Sequence, residues 1–395
     1  MNSAEMTILY ISHTSEMHGS GRALFNMVKQ FSLLGIEATV VMPFAHGKLF
    51  DELAHENVNI AIQPVVSWIW PQLKSLRDCL LFPYRFSRLM YKSVRFYCKL
   101  LFLVKKLSPD LIHTNVGTVH IGSYIAKKCG IKHIWHIREY QDLYFGWYPF
   151  PSKRKFHKLL LQDNNYPIAI TKGVYEHYNM QSNKNAIIIY DGVFDVDIVP
   201  LINYQKKKYF LFVGLISEGK GTIEAINAFL SVSSKYPECE LHIAGGGNES
   251  YINDLKAICR KKNCEKQVVF LGHRIDVYEL MSNALALIVS SRFEGFGFIT
   301  AEAMYNGCLV VGKNTAGTKE QFDNGLKMHG KQIGIRYSDQ SDLSGVLADL
   351  CANGISHYHE TIKMAQETVI NLYSSEKNAS EIIELYRKVV NKNGE

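Results

Sequence analysis

The chain has 395 residues, of which 47% are hydrophobic and 21% charged, with a formal net charge of +7. That length supports two or three domains, and the even apolar content excludes a disordered tail, a collagen repeat or a heptad array. No apolar run approaches the roughly 18 residues of a membrane span, and the short run at 8–11 behind Glu5 is unlike a signal peptide.

β-branched runs alternate with helical spacing throughout, the pattern of parallel sheets covered on both faces. Strands are predicted at 7–12, 37–42, 58–62, 111–114, 133–137, 168–171 and 186–190. A second series is predicted at 209–213, 240–244, 268–271, 285–289, 309–312 and 333–337. The stretch 191–208, with Gly192, Pro200 and three consecutive lysines, joins the two series. The expected division is a Rossmann-like domain at 1–195, a linker at 196–208, a second such domain at 209–372 and a closing helix at 373–395. The eight cysteines form no C-x-x-C pair and read as reduced residues of a cytoplasmic protein.

Several segments carry chemistry. The first strand runs into His18-Gly19-Ser20-Gly21-Arg22 and then an amphipathic helix. The region 73–106 holds nine basic residues (Lys74, Arg77, Arg85, Arg88, Lys92, Arg95, Lys99, Lys105 and Lys106) against Asp78 alone. At 100° per residue, positions 85, 88, 92, 95, 99 and 106 form one helical stripe. Phe86, Met90, Val94, Tyr97, Leu101 and Val104 form another on the far side. Trp68, Trp70, Phe82 and Tyr84 just upstream suit the headgroup level of a bilayer. The helix 85–106 is therefore expected to pack its apolar side on the sheet and lay its basic side on an anionic membrane surface, a solvated basic face being the alternative. His136 closes a strand, with Arg138 and Glu139 beside it.

In the second half, Ser290-Ser291-Arg292-Phe293-Glu294-Gly295-Phe296-Gly297-Phe298-Ile299 follows a buried strand and opens a helix bearing Glu302. Ligands of α/β sheets bind at such carboxyl edges. The glycines allow close backbone approach, and the helix start favours an anion. Asp195-Val196-Asp197 has a metal-binding spacing but lies in the linker, and no zinc spacing occurs, so no metal is expected. Nothing calls for a nucleic-acid partner.

The Glu294-to-Glu302 stretch resembles the signature of retaining glycosyltransferases of family 4. Phe212-Val213-Gly214 with Glu218-Gly219-Lys220-Gly221 resembles the family's phosphate loop. The runs 241–247, 268–272 and 316–320 resemble its later turns. The resemblance implies a GT-B fold, two Rossmann-like doubly wound parallel-sheet domains facing a central cleft, with the last helix returning to the first domain. It implies transfer of a sugar from a nucleotide sugar to a saccharide or lipid-linked acceptor in bacterial surface-polysaccharide assembly, with no cofactor or metal and at the inner face of a membrane. On the matching positions, Glu302 would hold the ribose, Glu294 would face the transferred sugar, and Phe296 to Ile299 would offer backbone donors. Lys220 would neutralise the diphosphate, and Gly19, Ser20, Gly21, Arg22, Gly214, Gly295 and Gly297 would complete the donor site. His136 would touch the donor sugar, while Arg138 and Glu139 would meet acceptor or phosphate. One departure is Leu215, where the family usually has arginine. A nucleotide-sugar epimerase of the same fold, or a non-catalytic binder, remains open.

Overall fold

The computed structural model describes residues 6–34, 36–143, 145–195 and 198–391. Glu5, ahead of the first strand, and Val196 and Asp197 of the linker motif lie outside the described residues. The chain divides into two compact units, Met1–Asp195 with Ser374–Glu395, and Val196–Tyr373.

In chain order the first unit holds β1 (Thr7–Ile11), α1 (Gly19–Leu33), β2 (Glu37–Met42), α2 (Lys48–His55), β3 (Asn59–Ile62), α3 (Leu76–Leu107) and β4 (Leu111–Thr114). It continues with α4 (Ile121–Cys129), β5 (Lys132–Ile137), α5 (Lys153–Leu160), β6 (Asn165–Ala169), α6 (Lys172–His177) and β7 (Ile187–Ile188). The second unit holds β8 (Tyr209–Val213), α7 (Thr222–Leu230), β9 (Glu240–Ala244), α8 (Glu249–Lys261), β10 (Val268–Gly272), α9 (Val277–Asn283) and β11 (Ala286–Val289). After them come α10 (Phe298–Tyr305), β12 (Val310–Lys313), α11 (Ala316–His329), β13 (Ile335–Tyr337), α12 (Gln340–Asn353) and α13 (His359–Leu372), and α14 (Ser375–Asn391) then joins the first unit.

The first sheet has the order β3-β2-β1-β4-β5-β6-β7 and the second β10-β9-β8-β11-β12-β13, every pair parallel. Period-two alternation sorts each strand between two cores. Ile8, Tyr10, Val40 and Met42 face Leu24 and Phe31 of α1 and Ile382 and Tyr386 of α14. Leu9, Ile11 and Val41 face Phe96, Leu100 and Val104 of α3 and Ile125 of α4. Strand order reverses beside β1 in one sheet and beside β8 in the other, and each reversal opens a crevice at the carboxyl ends of the strands.

Two expectations are corrected. β6 begins at Asn165, three residues before the predicted start, and contains Pro167. β7 pairs only with Ile168 and Ala169, so β6 is an edge at Pro167, where proline is tolerated. The docking face of α3 is also rotated from the predicted stripe. Its buried positions are Ser93, Phe96, Leu100 and Val104, whereas Val94 is 60% exposed. Apolar residues occupy most of this helix outside its basic stripe, so spacing alone left the docking face open, and the sheet selects the line through Phe96 and Leu100.

Candidate functional site

The carboxyl edge of the second sheet gathers the residues of the Glu294-to-Glu302 stretch. β11 ends at Val289, and the loop turns into α10 through Gly297, whose φ of 90° suits glycine. α11 braces this loop. Gly317 N–H donates to the Glu294 carbonyl at 3.0 Å, and the Gln321 amide donates to the carbonyls of Phe296 (2.8 Å) and Gly297 (3.1 Å). A Cβ on Gly317 would sit 2.3 Å from the Phe296 oxygen, so only glycine permits that approach.

The phosphate-type loop after β8 is stitched to the same place. Ser290 Oγ donates to the carbonyls of Lys220 (3.1 Å) and Gly221 (2.9 Å). The result is an ion pair of Lys220 Nζ with Glu294 Oε1 at 2.5 Å, both side chains largely buried. Glu302 lies one turn into α10, 6% exposed, and accepts from Tyr278 Oη at 3.3 Å. α10 turns its positive end toward the loop carrying Glu294. A cation, two carboxylates and a helix start thus share one sheet edge, a set suited to a diphosphate joined to hydroxyl-rich groups. Leu215, directly after Gly214, is 56% exposed and supplies no charge.

In the first unit, Gly19, Ser20, Gly21 and Arg22 form the first turn of α1 rather than a free loop. The Ser20 carbonyl accepts from Asn115 Nδ2 at 2.8 Å, tying this turn to the end of β4. His136, expected at the strand edge, is fully buried. Its Nδ1 lies 3.0 Å from His113 Nε2 and 3.2 Å from an Arg138 nitrogen. Burial, followed by the Arg138 charge, pushes both imidazoles well below the ordinary histidine range.

Arg138, expected to meet acceptor or phosphate, turns inward instead and is 7% exposed. It bonds Asp191, the Asn115 carbonyl (3.0 Å) and Asn115 Oδ1 (3.1 Å). A buried guanidinium needs its donors satisfied, and the Asp191 carboxylate and the Asn115 oxygens satisfy them. The Glu139 carboxyl is pushed up to about 7 by desolvation, partly opposed by Arg138.

Sequence reasoning missed Tyr278, His113, Asn115, Asp191 and Tyr386. Each lies outside the motifs and is brought in by strand register or by the returning helix. A search of carboxyl strand ends for polar residues would have flagged Asn115, directly after the strand predicted at 111–114, and Asp191, directly after that at 186–190. Among the described residues no group of three histidines, cysteines or carboxylates is placed to hold a metal, and Asp195 is engaged by Lys29 at 2.9 Å. The eight cysteines are free thiols.

On α3, Arg88, Lys92, Arg95, Lys99, Lys105 and Lys106 are exposed, whereas Arg85 pairs with Asp78 at 2.7 Å. Beside them stand exposed Leu80, Tyr84, Tyr91 and Phe102. No helix among the described residues is long and apolar enough to cross a membrane.

Residues 195–368 match the family described as glycosyl transferases group 1. The chain is 26% identical over 233 residues to a lipopolysaccharide 1,6-galactosyltransferase of Salmonella typhimurium, covering 56% of this chain and 61% of that protein. It is 25% identical to an uncharacterized glycosyltransferase of Methanocaldococcus jannaschii over 70% of this chain and 75% of that one. In structure it is similar to the HepE protein of Anabaena, solved in complex with UDP, with a TM-score of 0.77 at 17% identity. That likeness covers 97% of this chain and 100% of the other, and establishes the two-sheet fold.

Proposed function

We propose that the chain, whose residues 195–368 match the glycosyl transferases of group 1 and which has the GT-B fold, transfers a hexose-type sugar from a nucleotide sugar with retention of configuration. The observation that carries this reading is the joint placement of Lys220, Glu294 and Glu302 on one sheet edge within the matched segment. Lys220 and the start of α10 would take the diphosphate, whose negative charge grows as the sugar leaves. Glu302 would hold the ribose hydroxyls, and Glu294 would accept from hydroxyls of the transferred sugar. With no nucleophile assigned to the far face, the acceptor would attack on the side the diphosphate leaves, which takes up its proton. HepE has been solved with UDP and with UDP-glucose, which makes a UDP-sugar the first donor to test.

The acceptor is proposed to bind the first unit and to be a lipid-linked saccharide of bacterial surface-polysaccharide assembly. The likeness to a lipopolysaccharide galactosyltransferase supports this. So does the basic outer face of α3, which would rest on the anionic cytoplasmic leaflet at about 1 kcal/mol per basic residue near the surface. Neither cofactor nor metal enters this scheme. The experiment is a thermal-shift screen of UDP-, GDP- and ADP-sugars, followed by NMR of the product anomer. Selective stabilisation by one donor with a retained linkage supports the reading. An inverted linkage, or an epimer made from donor alone, refutes it.

A further inference from the structure

A second ion pair stands at the same sheet edge as that of Lys220 and Glu294. Lys313 ends β12, and Glu224 sits in the first turn of α7. Lys313 Nζ donates to Glu224 Oε1 at 2.8 Å and to Oε2 at 2.7 Å, and both side chains are largely buried. The ammonium also lies 6.0 Å from the centre of the Tyr337 ring, opposite it on β13. Register sets the place of the pair. Gly312 is level with Val289 at the end of β11, so Lys313 is level with Ser290, whose hydroxyl holds the carbonyls of Lys220 and Gly221. Neither Lys313 nor Glu224 belongs to the motifs, and neither has a part in the donor scheme above.

Glu224 is turned away from two groups that its position would let it engage. Gly221 is the N-cap of α7, so Glu224 is the third helical residue, from which a glutamate ordinarily reaches back to the N-cap N–H. It does not do so here. The Gly221 N–H donates to the Glu218 carbonyl at 3.0 Å, and the helix start has no side-chain cap. Glu224 also follows Lys220 by four residues across one turn, a spacing at which a carboxylate and an ammonium meet. Yet Lys220 pairs with Glu294, 74 residues on. The only cation paired with Glu224 among the described residues is Lys313. A carboxylate this buried does not stay unpaired without cost, and with Lys313 removed the cation one turn away is Lys220.

We propose that Lys313 is a positioning residue of this edge: its two-oxygen ion pair withdraws Glu224 from Lys220 and from the start of α7, which leaves Lys220 to a nucleotide diphosphate. The inference rests on the donor-site reading above and adds to it a residue that touches no ligand. Lys313 acts through Glu224, so its loss is felt only while the Glu224 carboxylate is present.

The test compares Lys313→Met, Glu224→Gln and the double variant of the full-length protein. UDP affinity is read by titration, and acetylation of Lys220 in the unliganded protein by mass spectrometry. Lys313→Met should weaken UDP binding about tenfold, the scale of one hydrogen bond to a charged group. It should also slow acetylation of Lys220, because the freed carboxylate holds that ammonium protonated. Adding Glu224→Gln should return both readouts to within about twofold of the parent, since the two changes couple through one carboxylate. Lys313→Arg keeps the two-oxygen pair and should match the parent. A double variant as weak as Lys313→Met would mean that Lys313 meets the phosphates itself or only braces the fold, and overturns the proposal. Unchanged UDP affinity or unchanged Lys220 acetylation in folded Lys313→Met overturns it too. Glu224→Gln leaves no buried carboxylate and should bind UDP as the parent does. A marked loss in that variant overturns the proposal even where Lys313→Met does not fold. Acetylation needs neither ligand nor activity. The expected Lys220 rates in a protein that binds no UDP would therefore refute the donor-site reading and leave the withdrawal of Glu224 standing.

Discussion

Replacing Glu294 by glutamine should tighten UDP binding while abolishing most sugar transfer. In the free protein Lys220 Nζ is 2.5 Å from Glu294 Oε1, with side-chain exposures of 22% and 15%. Coulomb's law at an effective dielectric of about 20 gives roughly 6–7 kcal/mol for unit charges at that separation. Lost hydration of both groups cancels most of this, leaving a net value of about 1–2 kcal/mol. A diphosphate that takes Lys220 must first give up that amount, and Glu294 also repels it. Glu294→Gln removes both costs, so the UDP dissociation constant should fall about five- to thirtyfold by isothermal titration. Transfer should suffer in the same variant because the sugar hydroxyls lose a charged acceptor, worth roughly 1.5–3 kcal/mol. Lys220→Ala should weaken UDP and should depress kcat further than binding, as charge on the leaving diphosphate grows. Weaker UDP binding by Glu294→Gln would show that the ion pair does not compete with the ligand and would refute this account.

Glu302→Gln should weaken donor binding by roughly 1–3 kcal/mol, read by titration with the UDP-sugar, whereas Tyr278→Phe should cost only a few-fold because its bond to Glu302 is long, at 3.3 Å. His120 stacks on Phe156, meets Trp135 edge-on and lies tilted against Trp68, and burial pushes its imidazole down to about 3. The unfolded chain takes up that proton near the ordinary value of about 6.5. This contribution is thus present in full above about 6.5 and is lost as pH falls toward 3. His120→Phe should therefore raise the melting temperature relative to the parent more at pH 5 than at pH 8, and equal shifts at both would refute the assignment. Changing Arg88, Lys92, Arg95 and Lys99 of α3 together to glutamine should release the protein from anionic vesicles in a sedimentation assay. Unchanged sedimentation would remove α3 as the contact.

Much of the strand framework was legible because buried parallel strands are short apolar runs with little room to slide. Val213 and Val289 end strands where their runs stop, and Gly214 and Ser290 follow. The grouping of Lys220, Glu294 and Glu302 was legible for the same reason: these residues are close in sequence to the strand ends that position them. The rotation of α3 was not, because Val94 and Phe96 are equally apolar and only contact with the sheet distinguishes them. Arg138 was misjudged because its partner Asp191 lies 53 residues away, and no local spacing reveals a buried ion pair of that kind.

The two sheet edges differ in how they are built, which decides what a sequence can show of each. At the second edge the loops after β8 and β11 approach their neighbours so closely that glycine is required, at Gly221 against the Ser290 carbonyl and at Gly317 against that of Phe296. Glycine requirements of this kind leave a readable pattern, because few other residues fit. At the first edge the walls come from long connections. Trp68 N–H reaches the Thr118 carbonyl, Trp70 N–H reaches that of Tyr148, and Phe150 N–H returns to that of Trp68. Trp70, Phe82, Phe86 and Phe150 then stack around that crossing. Backbone bonds of this kind accept almost any side chain, and aromatic packing tolerates exchange of one ring for another. An acceptor recognised there would be selected by residues free to vary, whereas a diphosphate at the second edge would be held by residues that are not. For the same reason the bonds of His136 run through His113, Tyr386 and Tyr10 on three other elements, and only the folded chain assembles them.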